Sequence, residues 1–171
     1  MMENGSDFQE QNNMLIIPRG RPGLPAISID LTRIVQIENR IPEMARASAI
    51  TAGELIMEFN SGLLHIARAI SLVELELYDA EQALEETEAE ALLDRVEKVL
   101  SFKNVKSSAD TRAAALALDR EVSASRSRVS GLKVTADYLR SRMKAVEYAY
   151  HGTKKILEIN NRLSSEKNYA G

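Results

Sequence analysis

Two groups of side chains in this 171-residue chain have types and spacing that invite chemistry: the carboxylate run Glu85, Glu86, Glu88 and Glu90, and the two histidines, His65 and His151. A dinuclear carboxylate centre in a helical bundle needs inward-facing Glu together with Glu-x-x-His spacing, and neither histidine has a Glu three residues before it. The run therefore reads as a solvated, salt-bridged helix face. His65, between Leu64 and Ile66, reads as packed or partly exposed, and His151 has no evident partner. The absence of Cys excludes a thiol nucleophile, a thiolate metal site and a disulfide framework. No strand is expected, so no glycine-rich phosphate loop has its required context. No catalytic residue, metal or cofactor is assigned, and the chain is not expected to be an enzyme.

Nucleic-acid binding is the better-supported chemistry. The net charge of -3 divides into -2 over residues 1–73, -9 over 74–97 and +8 over 98–171. Within the basic last third, Lys98, Lys103, Lys106 and Arg112 gather around Phe102, a cationic cluster with one aromatic on which a base can stack. An ordinary solvated loop is the competing reading. Nearer the start, Arg19, Gly20, Arg21 and Pro22 resemble the Arg-Gly-Arg-Pro core of AT-hook arms, which insert Arg into a narrow minor groove. An arm that wraps a neighbouring subunit fits the same residues.

These candidates sit on an asymmetric chain. All four prolines lie at positions 18, 22, 25 and 42. Residues 1–29 read as an extended or disordered basic arm, and residues 30–171 as a helical domain. Asp30 is the expected N-cap of a helix over Leu31–Arg40, Pro42 breaks or restarts it, and Thr51 with Glu54 reads as a capping box for a longer helix. From Leu63 onward apolar or small residues recur at heptad steps: Leu63, Ile66, Ile70, Val73, Leu77, Ala80, Leu84, Thr87, Ala91. A second seam runs through Leu118, Val122, Ser125, Val129, Leu132, Ala136, Leu139, Met143, Val146 and Tyr150. Residues 101–110 between them read as a turn, with Ser108 or Asp110 capping the second helix. The expectation is an antiparallel, coiled-coil-like hairpin over residues 63–163.

Charge gives that hairpin a register. Glu74, Glu76, Glu81, Glu88 and Glu90 flank the first seam; Arg140, Arg142, Lys133, Arg126 and Arg128 flank the second. Folding back near residue 108 pairs them in that order, with Leu84 opposite Leu132 and Val73 opposite Met143. Exposed pairs contribute only ~0.3–0.5 kcal/mol each, so they select orientation while the apolar layers supply stability. The same pairs serve equally within one chain or between subunits.

The stretch from Leu77 to Ile159 resembles the UvsY-type recombination mediators of tailed phages. The likeness lies in its order: an acidic, Ala-rich helix (LYDAEQALEETEAEALLDRVEKVL), a basic turn with an aromatic (SFKNVK), then SADTRAAALALDREV and LKVTADYLRSRMKAVEYAYHGTKKI. Asp119 and the pair Lys154 and Lys155 occupy positions typical of that family. The resemblance implies a helical homo-oligomer that binds single-stranded DNA and helps a RecA-like recombinase displace a single-strand-binding protein. It maps the family's basic-aromatic segment onto Lys98, Phe102, Lys103 and Lys106. One Phe stands where the family offers a Tyr-rich, Arg-containing stretch, and everything before residue 63 is additional to the pattern.

The expected protein is thus all-α and homo-oligomeric: an arm, short helices and a long hairpin. Its expected role is a DNA-binding recombination accessory; the alternative is a helical scaffold or virion assembly protein that binds only protein partners. No stretch approaches the ~18–20 apolar residues of a membrane span, and the first 17 residues lack the features of an export signal. A cytoplasmic location, that of the host for a phage protein, is expected.

Overall fold

The computed structural model describes residues 9–11, 13–20 and 23–169, with side chains over 13–20 and 23–163. Arg21 and the first eight residues of the expected arm lie outside them. The chain is mostly helical, but the expectation of no strand is overturned. Strands β1 (Gln9–Gln11), β2 (Met14–Ile17) and β3 (Ile27–Asp30) form an antiparallel sheet in that order. Of the prolines that argue for an unpacked arm, Pro18 and Pro25 lie between β2 and β3, outside the strands. Met14-Leu-Ile-Ile and Ile27-Ser-Ile-Asp supply branched apolar residues to the ladder, where Leu15 faces Ile29 and Ile17 faces Ile27. Ile27 and Ile29 are buried while Ser28 and Asp30 point outward, the two-residue alternation of a half-buried strand. Gln11 pairs with Met14 across a two-residue turn in which Asn13 has φ 62°, a left-handed conformation that Asn tolerates.

Helix α1 (Thr32–Arg40) starts one residue later than expected. Leu31 is its N-cap, and Asp30 acts from outside by accepting the Thr32 N–H at 2.8 Å. That contact with Thr32 holds the Asp30 carboxyl below its ordinary range. The Leu31 N–H donates to the Asn13 carbonyl at 2.7 Å, joining the hairpin turn to the start of α1. Pro42 restarts the chain as a 3-10 helix, Ile41–Arg46. Helix α2 (Ala49–Glu90) then begins two residues before the expected cap. Ser48, not Thr51, caps it: its Oγ accepts the Thr51 N–H at 3.3 Å, and the Thr51 hydroxyl donates back to the Ser48 carbonyl at 3.2 Å. Ser48 thus supplies the N-cap acceptor, and the Thr51 hydroxyl adds a bond to the N-cap carbonyl in place of the reciprocal bond that Glu makes in a capping box.

The chain gathers into two compact units, Pro18–Ala26 with Val73–Ala136, and Gln9–Ile17 with Ile27–Leu72 and Asp137–Gly171. In the second, the buried residues are Ile17, Ile27 and Ile29 of the sheet, Ile34 and Ile37 of α1, Leu55, Phe59 and Ile66 of α2, and Leu139 and Val146 of helix α5 (Arg120–Tyr169). Gly62 explains itself here. A Cβ at this position would lie 2.6 Å from Ile37 Cδ1 and 3.1 Å from its Cγ2, so glycine lets the Ile37 side chain of α1 pack directly on α2 despite its lower helix propensity.

In the first unit the seam residues Val73, Ala80, Val122, Val129 and Leu132 are buried, and the flanking charges interact across α2 and α5. Glu81–Lys133 (2.8 Å) and Glu88–Arg126 (2.7 Å) are as expected. Glu76, assigned to Arg142, instead binds Arg128 at 2.6 Å, so Arg128 is not the partner of Glu90; Arg142 binds Glu38 at 3.3 Å within the other unit. Leu84 packs against the cluster that contains Val122, ten residues from its expected partner Leu132. Two of the expected pairs thus form, while Glu76, Arg128 and Arg142 take other partners, as long charged side chains with several carboxylates in reach can do.

Replacing Gly62 by Ala is expected to lower the melting temperature although Ala is the better helix former. Overpacking costs about 1–3 kcal/mol against a propensity gain of about 1 kcal/mol. Ile37→Val removes the obstructing Cδ1, so thermal unfolding of the double variant should recover much of the loss; a G62A variant at least as stable as the parent contradicts the assignment.

Candidate nucleic-acid interface

The cationic cluster lies at the end of the first unit farthest along α2, where the chain makes four short structural decisions. The first is a π-helical segment, Ala91–Val96, continuing α2. The buried positions Ala91 and Val96 are five residues apart, one more than an α-helical face allows, and the inserted residue turns Leu93 outward to 84% exposure. The second is the end of α3 (Glu97–Phe102). Asn104 adopts φ 52°, the Asn104 N–H bonds to the Ser101 carbonyl at 3.1 Å, and the Val105 N–H bonds to the Leu100 carbonyl at 3.0 Å. These two bonds and the left-handed residue make a Schellman stop, with Val105 and Leu100 as its apolar pair.

The third is the start of α4 (Ala109–Leu118), where Ser108 and Thr111 form a reciprocal capping box. Of the two expected caps, Ser108 is the one used. The fourth breaks the expected continuous second helix. Asp119 leaves helical geometry with ψ 127°, and its Oδ1 accepts the N–H groups of Glu121 at 3.0 Å and Val122 at 3.1 Å, capping α5. Arg95 from the π segment donates to both Asp119 oxygens, at 2.7 and 3.2 Å, and its Nη1 lies 2.9 Å from Glu121. The Arg95 hydrogen bond first, and the Val122 N–H next, hold the Asp119 carboxyl below its usual range, while partial burial opposes them; the same hydrogen bond raises Arg95. Behind this clasp Ala91, Val96, Leu100, Leu116 and Val122 form a buried cluster.

This corner presents the expected site residues unevenly. Phe102 is 89% exposed. Lys103, Lys106 and Arg112 are exposed and have no carboxylate partner among the described residues. Lys98 lies 3.1 Å from Asp94 one turn earlier, with both side chains mostly in solvent. Arg19 does not join them. The Gly20 N–H donates to Glu76 Oε1 at 2.8 Å, Arg128 donates to that same oxygen and to the Pro18 carbonyl at 2.6 Å each, and Arg19 Nε lies 3.9 Å from Glu76 Oε2. Glu76 is only 3% exposed, so residues 18–20 form a strap held by a buried carboxylate. No residue cluster among those described has the composition of a metal site.

Sequence reasoning missed the clasp and a groove beside it. A cavity of about 730 Å³ opens between α3 and α4, lined by Val96, Val99, Leu100, Val105, Ala115 and Leu118, with Lys98, Lys103 and Arg120 also in its lining. The five-residue step from Ala91 to Val96 and the run Asp119-Arg120-Glu121 after Leu118 were the legible signals. Comparison with protein-family models, with curated proteins and with solved structures returned no match.

The clasp makes stability acid-sensitive in a defined way. Because the folded carboxyl of Asp119 titrates below its unfolded value, its contribution is present above about pH 4 and lost as pH falls through the lower, folded value. Asp119→Asn keeps an acceptor for the cap and removes the charge. In melts followed by circular dichroism it should lower the melting temperature at pH 7 and give a shallower decline below pH 4; parallel profiles for the two proteins would refute the role of the charge.

Proposed function

We propose that the chain is a non-enzymatic accessory factor of recombination that binds single-stranded DNA, acts as a homo-oligomer, and works with a RecA-like recombinase against a single-strand-binding protein. The UvsY-type order of its helices implies this role. The observation that carries it is the outward Phe102 with Lys103 and Lys106 just after it and Arg112 on the next helix, all exposed and without a carboxylate partner among the described residues. A base stacked on an exposed aromatic is worth about 1–3 kcal/mol, and each cation that neutralises a phosphate releases counterions. The rest of the basic last third contributes less, because Arg126, Arg128 and Lys133 are engaged by carboxylates. Arg19 lies beside the strap, 3.9 Å from Glu76, and Arg21 is outside the described residues, so the reading is argued from the corner and not from the AT-hook-like arm. In this proposal α2 and α5 act as an antiparallel hairpin that holds the corner at its tip.

The second reading, a scaffold or virion assembly protein that binds only protein, draws on a different observation. Ile50, Met57 and Leu64 are exposed on α2 at seven-residue spacing, a stripe suited to helix pairing between subunits.

Fluorescence anisotropy of a labelled oligo(dT) across a salt titration separates the two. The DNA reading expects binding at 50 mM salt that weakens linearly in log–log form. Lys103→Ala with Lys106→Ala should reduce the slope by roughly 1.4, and Phe102→Ala should weaken binding with the slope unchanged. Absence of binding to single strands at low salt, in a protein that light scattering shows to be oligomeric, favours the scaffold.

A further inference from the structure

The groove between α3 and α4 has a composition that the DNA reading does not use. Its floor is aliphatic, from Val96, Val99, Leu100, Val105 and Leu118, and no aromatic lines it. Bases gain most from planar stacking partners, and the exposed Phe102 is not part of the lining. Leu118 is 84% exposed and Val99 45%, large apolar surfaces on elements that end at this opening. The charges around the floor are of one effective sign. Asp119 is neutralised by Arg95, which leaves Lys98, Lys103 and Arg120. Lys98 keeps only a solvent-exposed pair with Asp94, which is screened and easily exchanged.

We propose that this groove docks an acidic, amphipathic helical segment of a partner protein. Its apolar side chains, spaced three and four residues apart, would seat on Leu100, Val105 and Leu118. Its carboxylates would meet Lys98, Lys103 and Arg120. A helix laid in an apolar groove satisfies its own backbone hydrogen bonds, so the groove needs to supply only apolar contact and rim charge, which is what it contains. Carboxylates opposite the lysines speed encounter and exclude basic sequences, while the floor provides the affinity. The π segment contributes by placing Val96 under the floor, and the Schellman stop by turning Val105 back over Leu100. This inference does not rest on DNA binding.

The test uses the full chain and three labelled helical peptides with identical leucine spacing, one with glutamates on the polar face, one with lysines, and one with the glutamate sequence scrambled. Anisotropy should show saturable binding of the acidic peptide at least tenfold tighter than of either other. Leu118→Asp lies on an exposed residue and should reduce that binding at least tenfold while leaving oligo(dT) binding unchanged; Arg120→Glu, also exposed, should reduce it several-fold. Equal binding of the acidic and basic peptides overturns the proposal, as does full binding by L118D. Loss of oligo(dT) binding in L118D would make nucleic acid the occupant. Loss of self-association in L118D, with no peptide bound by the parent, would make it a second copy; either result overturns the proposal. Phe102→Ala should weaken oligo(dT) and leave the peptide unaffected, so that failure of one reading is distinguishable from failure of the other.

Discussion

The Arg95–Asp119 clasp is the interaction on which the corner between α3, α4 and α5 depends. A long helix that must reverse direction has to leave amide and carbonyl groups unpaired at its ends, and this corner contains the end of α3, both ends of α4 and the start of α5 between residues 102 and 120. Asp119 answers two of those demands, capping α5 with one oxygen and receiving Arg95 on both. Arg95 can reach it because the π segment shifts the helix register by one residue, rotating the guanidinium toward the corner while Val96 enters the apolar cluster. A planar, bidentate cation is needed for this geometry, which a lysine would not reproduce. The clasp also keeps the only carboxylate in the groove lining from cancelling its cations.

Charge elsewhere in the same unit has a different use. Glu76 is buried with Arg128 beside it and a strap of backbone over it. A buried carboxylate is tolerable only when its oxygens are occupied, and here the Gly20 N–H and the guanidinium occupy Oε1. A Cβ at Gly20 would make only ordinary van der Waals contact, 3.6 Å from the guanidinium and 3.7 Å from the carboxylate, so it is the backbone N–H of this residue that the strap uses. The Arg-Gly-Arg-Pro sequence therefore has an internal structural employment for its first two residues. The near-zero net charge of the chain follows from such pairing between an acidic and a basic helix, and the cations at the corner are what remains.

How much of this was legible in the sequence depends on the range of the forces involved. The helices and their buried seams were visible because a seven-residue apolar pattern repeats many times, as from Ile66 to Ala91 and from Val122 to Val146. The cluster Lys98, Phe102, Lys103 and Lys106 was visible because it lies within one short segment. The sheet was not, because β2 and β3 are four residues each and the prolines between them dominate the local composition. Ser108 was recognisable as a cap, whereas Ser48 was hidden by the more familiar Thr-x-x-Glu pattern three residues later. The flanking pattern shows Glu81–Lys133 and Glu88–Arg126 but not the partners of Glu76 and Arg142, because the Gly20 backbone and Glu38 reach them from segments outside the two seams. The Arg95–Asp119 pair spans 24 residues and two helix breaks, and no local pattern announces a contact of that kind.

The two recognition chemistries proposed for the corner are separated by residue type more than by distance. Phe102 ends α3 facing solvent, while Leu100, two residues earlier, is buried beneath the groove, so one short helix sends an aromatic one way and an aliphatic the other. Lys103 stands at the boundary, lining the groove and following Phe102 in sequence. A phosphate and a carboxylate would compete for that ammonium group, whereas the planar and aliphatic surfaces would not be shared. A nucleic acid strand on Phe102 and an acidic segment over Leu118 would therefore be coupled through one shared cation, each weakening the other by the part of its affinity that Lys103 supplies. Coupling of that sign suits a factor that must hold a strand and then release it as a partner arrives.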